Sequence, residues 1–117
     1  MKKFYGYKKC GTCSKAEKHL KATGMEYEYI DITINPPSKK ELKAIIEFSN
    51  KPYKKALNTS GVVYREQGLK DKVKTMSDAE LLEVLNSSGK LLKRPMVIEG
   101  DKATIGYNSE EFALVWG

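Results

Sequence analysis

At 117 residues, 40% of them hydrophobic and 31% charged, the chain has room for one domain with a real core and is too rich in apolar residues for wholesale disorder. Its formal charge of +6 rests on lysine, with Arg65 and Arg94 the only arginines, and no helix-turn-helix or zinc-finger pattern is present; direct nucleic-acid recognition is therefore not expected, while an acidic protein partner stays open. No apolar run approaches the ~20 residues of a membrane span, and the start of the chain has neither an apolar signal core nor a cleavage site, so a cytoplasmic location is expected.

Residues 2–7 alternate weakly and are rich in Phe and Tyr, which predicts a first strand. A helix follows Cys10-Gly11-Thr12-Cys13, with Cys13, Ala16 and Leu20 at i, i+3 and i+7, and closes at Gly24. Residues 27–32 read as a second strand, making residues 2–32 a βαβ unit with parallel strands and a right-handed crossover. Asn35-Pro36-Pro37 breaks the chain before Ser38 and Glu41, a capping box that opens a helix with Leu42, Ile45, Ile46 and Ser49 on one face.

The pattern breaks again around Pro52. A short helix is predicted over residues 59–66, ending at Gly68. Ser77 and Glu80 form a second capping box ahead of Leu81, Leu82, Val84 and Leu85, and Gly89 reads as the stop past that helix. Met96–Glu99 and Lys102–Ile105 flank Gly100-Asp101, two turn residues with Gly first, which predicts a type II′ hairpin. Asn108, with Glu111 three residues on, caps a last helix carrying Phe112, Val115 and Trp116.

A βαβ half joined through helices to a ββα half is the thioredoxin/glutaredoxin-like α/β architecture. It implies one domain over residues 1–117, with a four-stranded mixed sheet, the last hairpin antiparallel to the first pair and helices on both faces. Ferredoxin-like folds use similar parts; the position of the cysteines decides between them.

Both cysteines lie in one CxxC motif between the first strand and the first helix. A helix N-terminus presents unpaired N–H groups and about half a positive charge, which favours a thiolate. Cys10 is the more exposed to that effect and is the candidate nucleophile; Lys8 and Lys9 add to the positive field. Cys13, one turn on and on the same face, is the candidate resolving thiol. Gly11 and Thr12 leave the turn open for a substrate to approach. Zinc needs two further ligands and the chain supplies only His19 and carboxylates, so no metal and no bound cofactor are expected. His19 reads as an ordinary helix residue, and Tyr5, Tyr7, Tyr27, Tyr29 and Tyr64 as residues that pack the sheet.

Cys10-Gly11-Thr12-Cys13, residues 64–69 (Tyr-Arg-Glu-Gln-Gly-Leu), residues 93–98 (Lys-Arg-Pro-Met-Val-Ile) and residues 106–111 (Gly-Tyr-Asn-Ser-Glu-Glu) together resemble the arsenate reductase/Spx family over essentially the whole chain. The resemblance implies that Pro95 is a cis proline against the cysteine loop. It also implies that Arg94 faces the active cysteine, stabilising its thiolate or binding a substrate oxyanion. Glutaredoxin-coupled arsenate reductases hold arsenate with three arginines and lack a second cysteine at position 13. Here only Arg94 matches, and Asn58 and Tyr107 stand at the spacing of the other two, so arsenate reduction itself is not expected.

Two functions follow from the resemblance. The first is a thiol–disulfide oxidoreductase acting on a disulfide or oxyanion substrate, restored by thioredoxin or a glutathione/glutaredoxin system. The second is an Spx-like redox sensor that binds the C-terminal domain of the RNA polymerase α subunit. Nothing in the sequence demands a dimer, and a monomer is expected.

Overall fold

The computed structural model describes residues 1–117. Strands β1 (Lys2–Gly6), β2 (Tyr27–Asp31), β3 (Met96–Glu99) and β4 (Lys102–Ile105) form one sheet in the order β2-β1-β3-β4. β1 and β2 run parallel, with Lys2 opposite Tyr27 and Gly6 opposite Asp31. β3 lies antiparallel to β1, with Phe4 opposite Val97, and pairs antiparallel with β4. This is the thioredoxin/glutaredoxin-like arrangement the element order predicts. The hairpin turn also follows the prediction: Gly100 has φ 61 while Asp101 keeps a negative φ, the type II′ pattern that only glycine adopts freely at the first position.

Six helices complete the chain: α1 (Gly11–Ala22), α2 (Lys39–Ser49), α3 (Val62–Glu66), α4 (Leu69–Lys72), α5 (Asp78–Asn86) and α6 (Ser109–Trp116). The period of two along each strand sends alternate side chains to opposite faces. Phe4, Val97, Cys13, Ala16, Leu20, Phe112 and Trp116 form a compact cluster between the sheet and helices α1 and α6. Tyr5, Met96, Ala103 and Ile105 point the other way, into a larger cluster of 18 buried residues completed by α2, α5, the segments between them, Ile32 and the Leu91–Leu92 segment. Truncating a fully buried leucine such as Leu42 or Leu85 in that cluster typically costs about 2–5 kcal/mol.

Three local readings change. The helix predicted over residues 59–66 starts at Val62, and after Gly68 the chain turns again through α4 and a 3₁₀ turn at Val73–Thr75, burying Leu69 and Val73. Ser77 and Glu80 form the full capping box, but only half of the first one exists. Ser38 accepts from the Glu41 N–H, whereas the Glu41 carboxylate accepts from Tyr5 and from Lys3 Nζ at 3.2 Å. Finally, Gly89 lies past the end of α5 as read but does not cap it: α5 ends at Asn86 with Ser87 as its cap, and Gly89 is buried in the following 3₁₀ turn. No helix is long and apolar enough to cross a membrane.

Candidate active site

The site is built where β1 runs out and α1 begins. Cys10 is the N-cap of α1, with extended backbone angles of φ −91 and ψ 119. Its N–H donates to the Tyr7 carbonyl at 3.0 Å, closing the turn between strand and helix, and its carbonyl accepts from Ser14 at 3.1 Å. The first turn of α1 carries no acidic residue to compete for its unpaired N–H groups. Both cysteines are free thiols; Cys10 is half-buried and Cys13 only 1% exposed. Gly11 and Thr12 are exposed, so Cys10 is open on the side of the helix start.

This asymmetry sets the chemistry of the pair. Burial lifts the Cys10 thiol, but hydrogen bonding from the Cys13 N–H and thiol, the Arg94 guanidinium and the Thr12 N–H outweighs it, and the net shift is downward from 9.0. Cys13 goes the other way. Burial, with the neighbouring charge of Cys10, pushes it up to about 12. Cys10 is therefore the group that ionises first, and Cys13 keeps its proton and donates it towards Cys10.

Arg94 reaches the site from the segment before β3, half-buried, with its guanidinium carbon 4.8 Å from the centre of the Tyr7 ring. Backbone bonds hold that segment: Asn58 N–H donates to Leu91 O at 2.7 Å and Lys93 N–H to Ala56 O at 2.7 Å. The Arg94–Pro95 peptide bond is cis, and Pro95 is buried with its carbonyl accepting from Gly106 at 2.8 Å. Asp31, at the end of β2, accepts from the Thr33 hydroxyl at 2.6 Å and N–H at 2.9 Å. Those bonds, aided by the charge of Arg94, hold its carboxyl below the usual carboxylate range.

Arg94 and Tyr7 also line an open cavity of about 440 Å³, shared with Asn58, Glu66 and Lys90. Sequence reasoning assigned Tyr7 to sheet packing. In the fold it lies instead in the loop after β1, under Arg94 and facing the cavity. Lys90 was not singled out, and Glu66 only within the motif at residues 64–69; the end of α3 and the 3₁₀ turn that carry them converge only in three dimensions. Of the two residues at arginine spacing, Asn58 lines the same cavity as Arg94, whereas Tyr107 turns away: its hydroxyl shares a 3.3 Å hydrogen bond with His19 Nδ1 and its ring packs edge-on to Phe112. His19 is thus held in an aromatic contact and lies apart from the cavity lining. No group of three or more His, Cys, Asp or Glu side chains is placed to hold a metal ion.

The ArsC family model matches residues 5–115. The chain belongs to the ArsC family. It is 50% identical over 113 residues to the uncharacterized protein YusI of Bacillus subtilis, spanning 97% of this chain and 96% of that one. It is 32% identical over 108 residues to the regulatory protein MgsR of the same organism, spanning 92% of this chain and 84% of MgsR. Among solved structures, an ArsC family related protein from Bacteroides fragilis superposes with a TM-score of 0.93 at 41% identity, covering 97% of this chain and 95% of that one. The ArsC fold thus extends over the whole architecture described above, and its relatives include named regulators.

Proposed function

We propose that this ArsC-family chain is a thiol–disulfide redox protein in which Cys10 attacks and Cys13 resolves. The observation that carries the reading is the split within one CxxC motif: a Cys10 thiol shifted down at the start of α1, beside a buried Cys13 shifted up. Cys10 thiolate attacks one sulfur of a substrate disulfide and forms a mixed disulfide. Cys13 then displaces the substrate thiol and closes the Cys10–Cys13 bond. Thioredoxin, or a glutathione/glutaredoxin system, returns the pair to dithiol. Exposed Gly11 and Thr12 admit the partner, and Pro95 anchors the segment that presents Arg94.

Arg94 supports the Cys10 thiolate and the negative charge on a departing thiolate or oxyanion. Arsenate is not the proposed substrate. Arg94 is the only arginine lining the cavity, with neutral Asn58 beside it, and a tetrahedral dianion is left short of bidentate partners. A cytoplasmic monomer fits this chemistry. The test is reduction of a model disulfide with thioredoxin or glutathione as the electron source. Wild type is expected to turn over, Cys10→Ser to be inactive, and Cys13→Ser to accumulate the mixed disulfide. A wild-type protein no faster than free thiol would end the reading.

A second reading is favoured by one observation, the similarity to the regulatory protein MgsR along 92% of the chain. In it the same pair senses oxidation, and the closed form binds the RNA polymerase α subunit. Oxidation-dependent capture of RNA polymerase supports it; no capture in either redox state removes it.

A further inference from the structure

The formal charge of +6 is not spread over the molecule. Of the 21 basic and 15 acidic residues, residues 1–25 hold seven lysines and one acidic residue, Glu17. Residues 26–117 then carry 14 basic and 14 acidic side chains and are neutral as a group. The net charge therefore belongs to β1, the cysteine loop and α1, the segment that presents Cys10.

The fold keeps that charge outside. Cys13, Ala16 and Leu20 turn α1 towards the sheet, and Lys15, Lys18 and Lys21 lie exposed away from it, along from the exposed Gly11 and Thr12 of the helix start. Lys9, exposed beside Cys10, continues the patch onto the loop. None of these four lysines makes an ion pair. Glu17 does not serve them, because its carboxylate accepts from Tyr27 at 2.7 Å and pairs with Lys8 at 3.7 Å. On α2, by contrast, Lys39 pairs with Glu83 and Lys43 with Glu47.

The patch does nothing for its own helix. Lysines three residues apart on one face repel one another, and the first turn of α1 has none of the acidic residues that suit a helix start. Arg94, which bonds to Cys10, and Lys90 add positive charge from the cavity wall, where Glu66 is the single carboxylate.

We propose that the lysine face of α1 and the Cys10 loop docks an acidic protein surface, so that the disulfides this chain reduces are those flanked by Asp and Glu. The inference rests on the thiol–disulfide reading above and names its substrate class. Opposite charge speeds encounter and fixes orientation. It brings the partner's disulfide to Cys10 from the exposed side of Gly11 and Thr12. The Cys10 sulfur bonds to one sulfur of that disulfide, and the bond between its two sulfurs breaks. The electron pair leaves with the second sulfur, as a thiolate that departs past the same lysines and takes its proton from water. The partner's disulfide is the oxidant and is reduced; Cys10 is oxidised to the mixed disulfide that Cys13 resolves. A nucleic acid matches the charge but offers Cys10 no sulfur, and the patch is all lysine, without the arginine fork that reads base edges. A protein partner is the better fit.

The test uses the full chain and three peptides of equal length. Each holds one cysteine in a mixed disulfide with a coloured aromatic thiol, flanked by Glu, by Gln or by Lys. At ~0.01 M salt, with a Debye length of about 30 Å, the Glu peptide is expected to release colour about tenfold faster than the Gln peptide, and the Lys peptide more slowly than either. At ~1 M salt, with a Debye length of about 3 Å, the three rates are expected to converge. In Lys15→Gln with Lys18→Gln the Glu-to-Gln rate ratio is expected to fall about threefold or more, and Lys9→Gln reads the same patch from the loop. Taking the ratio within one protein cancels any change in the reactivity of Cys10 itself. A wild-type ratio near one at low salt, or a ratio unmoved in both variants, overturns the inference.

If no peptide reacts, the thiol–disulfide reading fails and docking is read separately. The probe is then a fluorescent Glu peptide with serine in place of cysteine, followed by anisotropy. Binding that weakens in Lys15→Gln with Lys18→Gln sustains the surface, and no binding overturns it. A DNA duplex held by the same lysines more tightly than the Glu peptide overturns the choice of a protein partner.

Discussion

Gly89 packs its backbone against the carbonyl of Ile32, so closely that a β-carbon on Gly89 would lie 2.1 Å from the Ile32 oxygen. Ile32 is itself tied to β1, its N–H donating to Gly6 O at 3.0 Å. Three residues beyond Gly89, Leu92 bridges to Leu57, and the chain then delivers Arg94 to the site. A backbone-to-backbone contact therefore sets how near the Arg94 segment comes to the end of β2. Gly89→Ala cannot be absorbed by a flexible side chain, because the obstructing atom is a carbonyl. It is expected to cost about 2–4 kcal/mol in urea unfolding. A variant as stable as wild type would contradict this account.

Arg94 favours the Cys10 thiolate from across the loop. Arg94→Ala is expected to move the Cys10 titration up towards 9.0 and to slow its alkylation at neutral pH several-fold. Arg94→Lys should restore only part of the effect, since an ammonium lacks the planar group that lies over Tyr7. Alkylation rate against pH reads both variants; identical profiles in wild type and Arg94→Ala would remove Arg94 from the site.

The two cysteines bend stability against pH in opposite directions. The lowered Cys10 contributes stability that is present above the ordinary thiol value of 9.0 and is lost as pH falls through its lowered folded value. The raised Cys13 contributes stability that is complete below 9.0 and is lost as pH rises towards about 12. Reduced protein is therefore expected to weaken steadily on the alkaline side, measured by urea midpoints across that range. Tyr5, Tyr27 and Tyr29 are held above the ordinary range by burial, reinforced by neighbouring acidic charge, and act in the same direction. Cys13→Ser should flatten the alkaline decline without abolishing it; an unaltered slope would mean that Cys13 does not ionise in that window.

Trp116 closes the smaller core by donating from Nε1 to Thr104 Oγ1 at 3.1 Å. Thr104 is 1% exposed, so Trp116→Phe leaves a buried hydroxyl without a partner. The expected loss is about 1–3 kcal/mol for that hydroxyl, added to the cavity left by the smaller ring. Adding Thr104→Val to Trp116→Phe should recover part of the loss, because it removes the unpaired group. A double variant less stable than the sum of the singles would show that the bond is not the origin of the effect.

What could be read along the chain was local. The CxxC motif at a strand-to-helix junction, the capping box at Ser77 and the Gly100 turn all depend on neighbours a few residues away, and all three stand in the fold. The readings that changed depend on distant partners. Glu41 looked like half of a capping box, but Tyr5, thirty-six residues away in sequence, takes its carboxylate. Residues 69–75 carry too few turns to show a period, and Leu69 and Val73 are held by the large core they join. Gly89 read as a helix stop because a glycine after a helix usually is one. Its cause is a contact with Ile32 that no local pattern reports.

By itself the sequence determined the order of strands and helices and the placement of Cys10 at a helix start, since hydrophobic period, caps and turn residues act over a few residues. Only the tertiary structure decided what surrounds that cysteine. Parallel pairing of β1 with β2 brings the Tyr29 hydroxyl to Gly6, and the segment before β3 lays Arg94 over Tyr7. Folding of the loops then brings Asn58 to the cavity that Arg94 lines and Tyr107 to His19. These choices follow from register and close packing between segments tens of residues apart, where a shift of one residue would send each side chain to the opposite face.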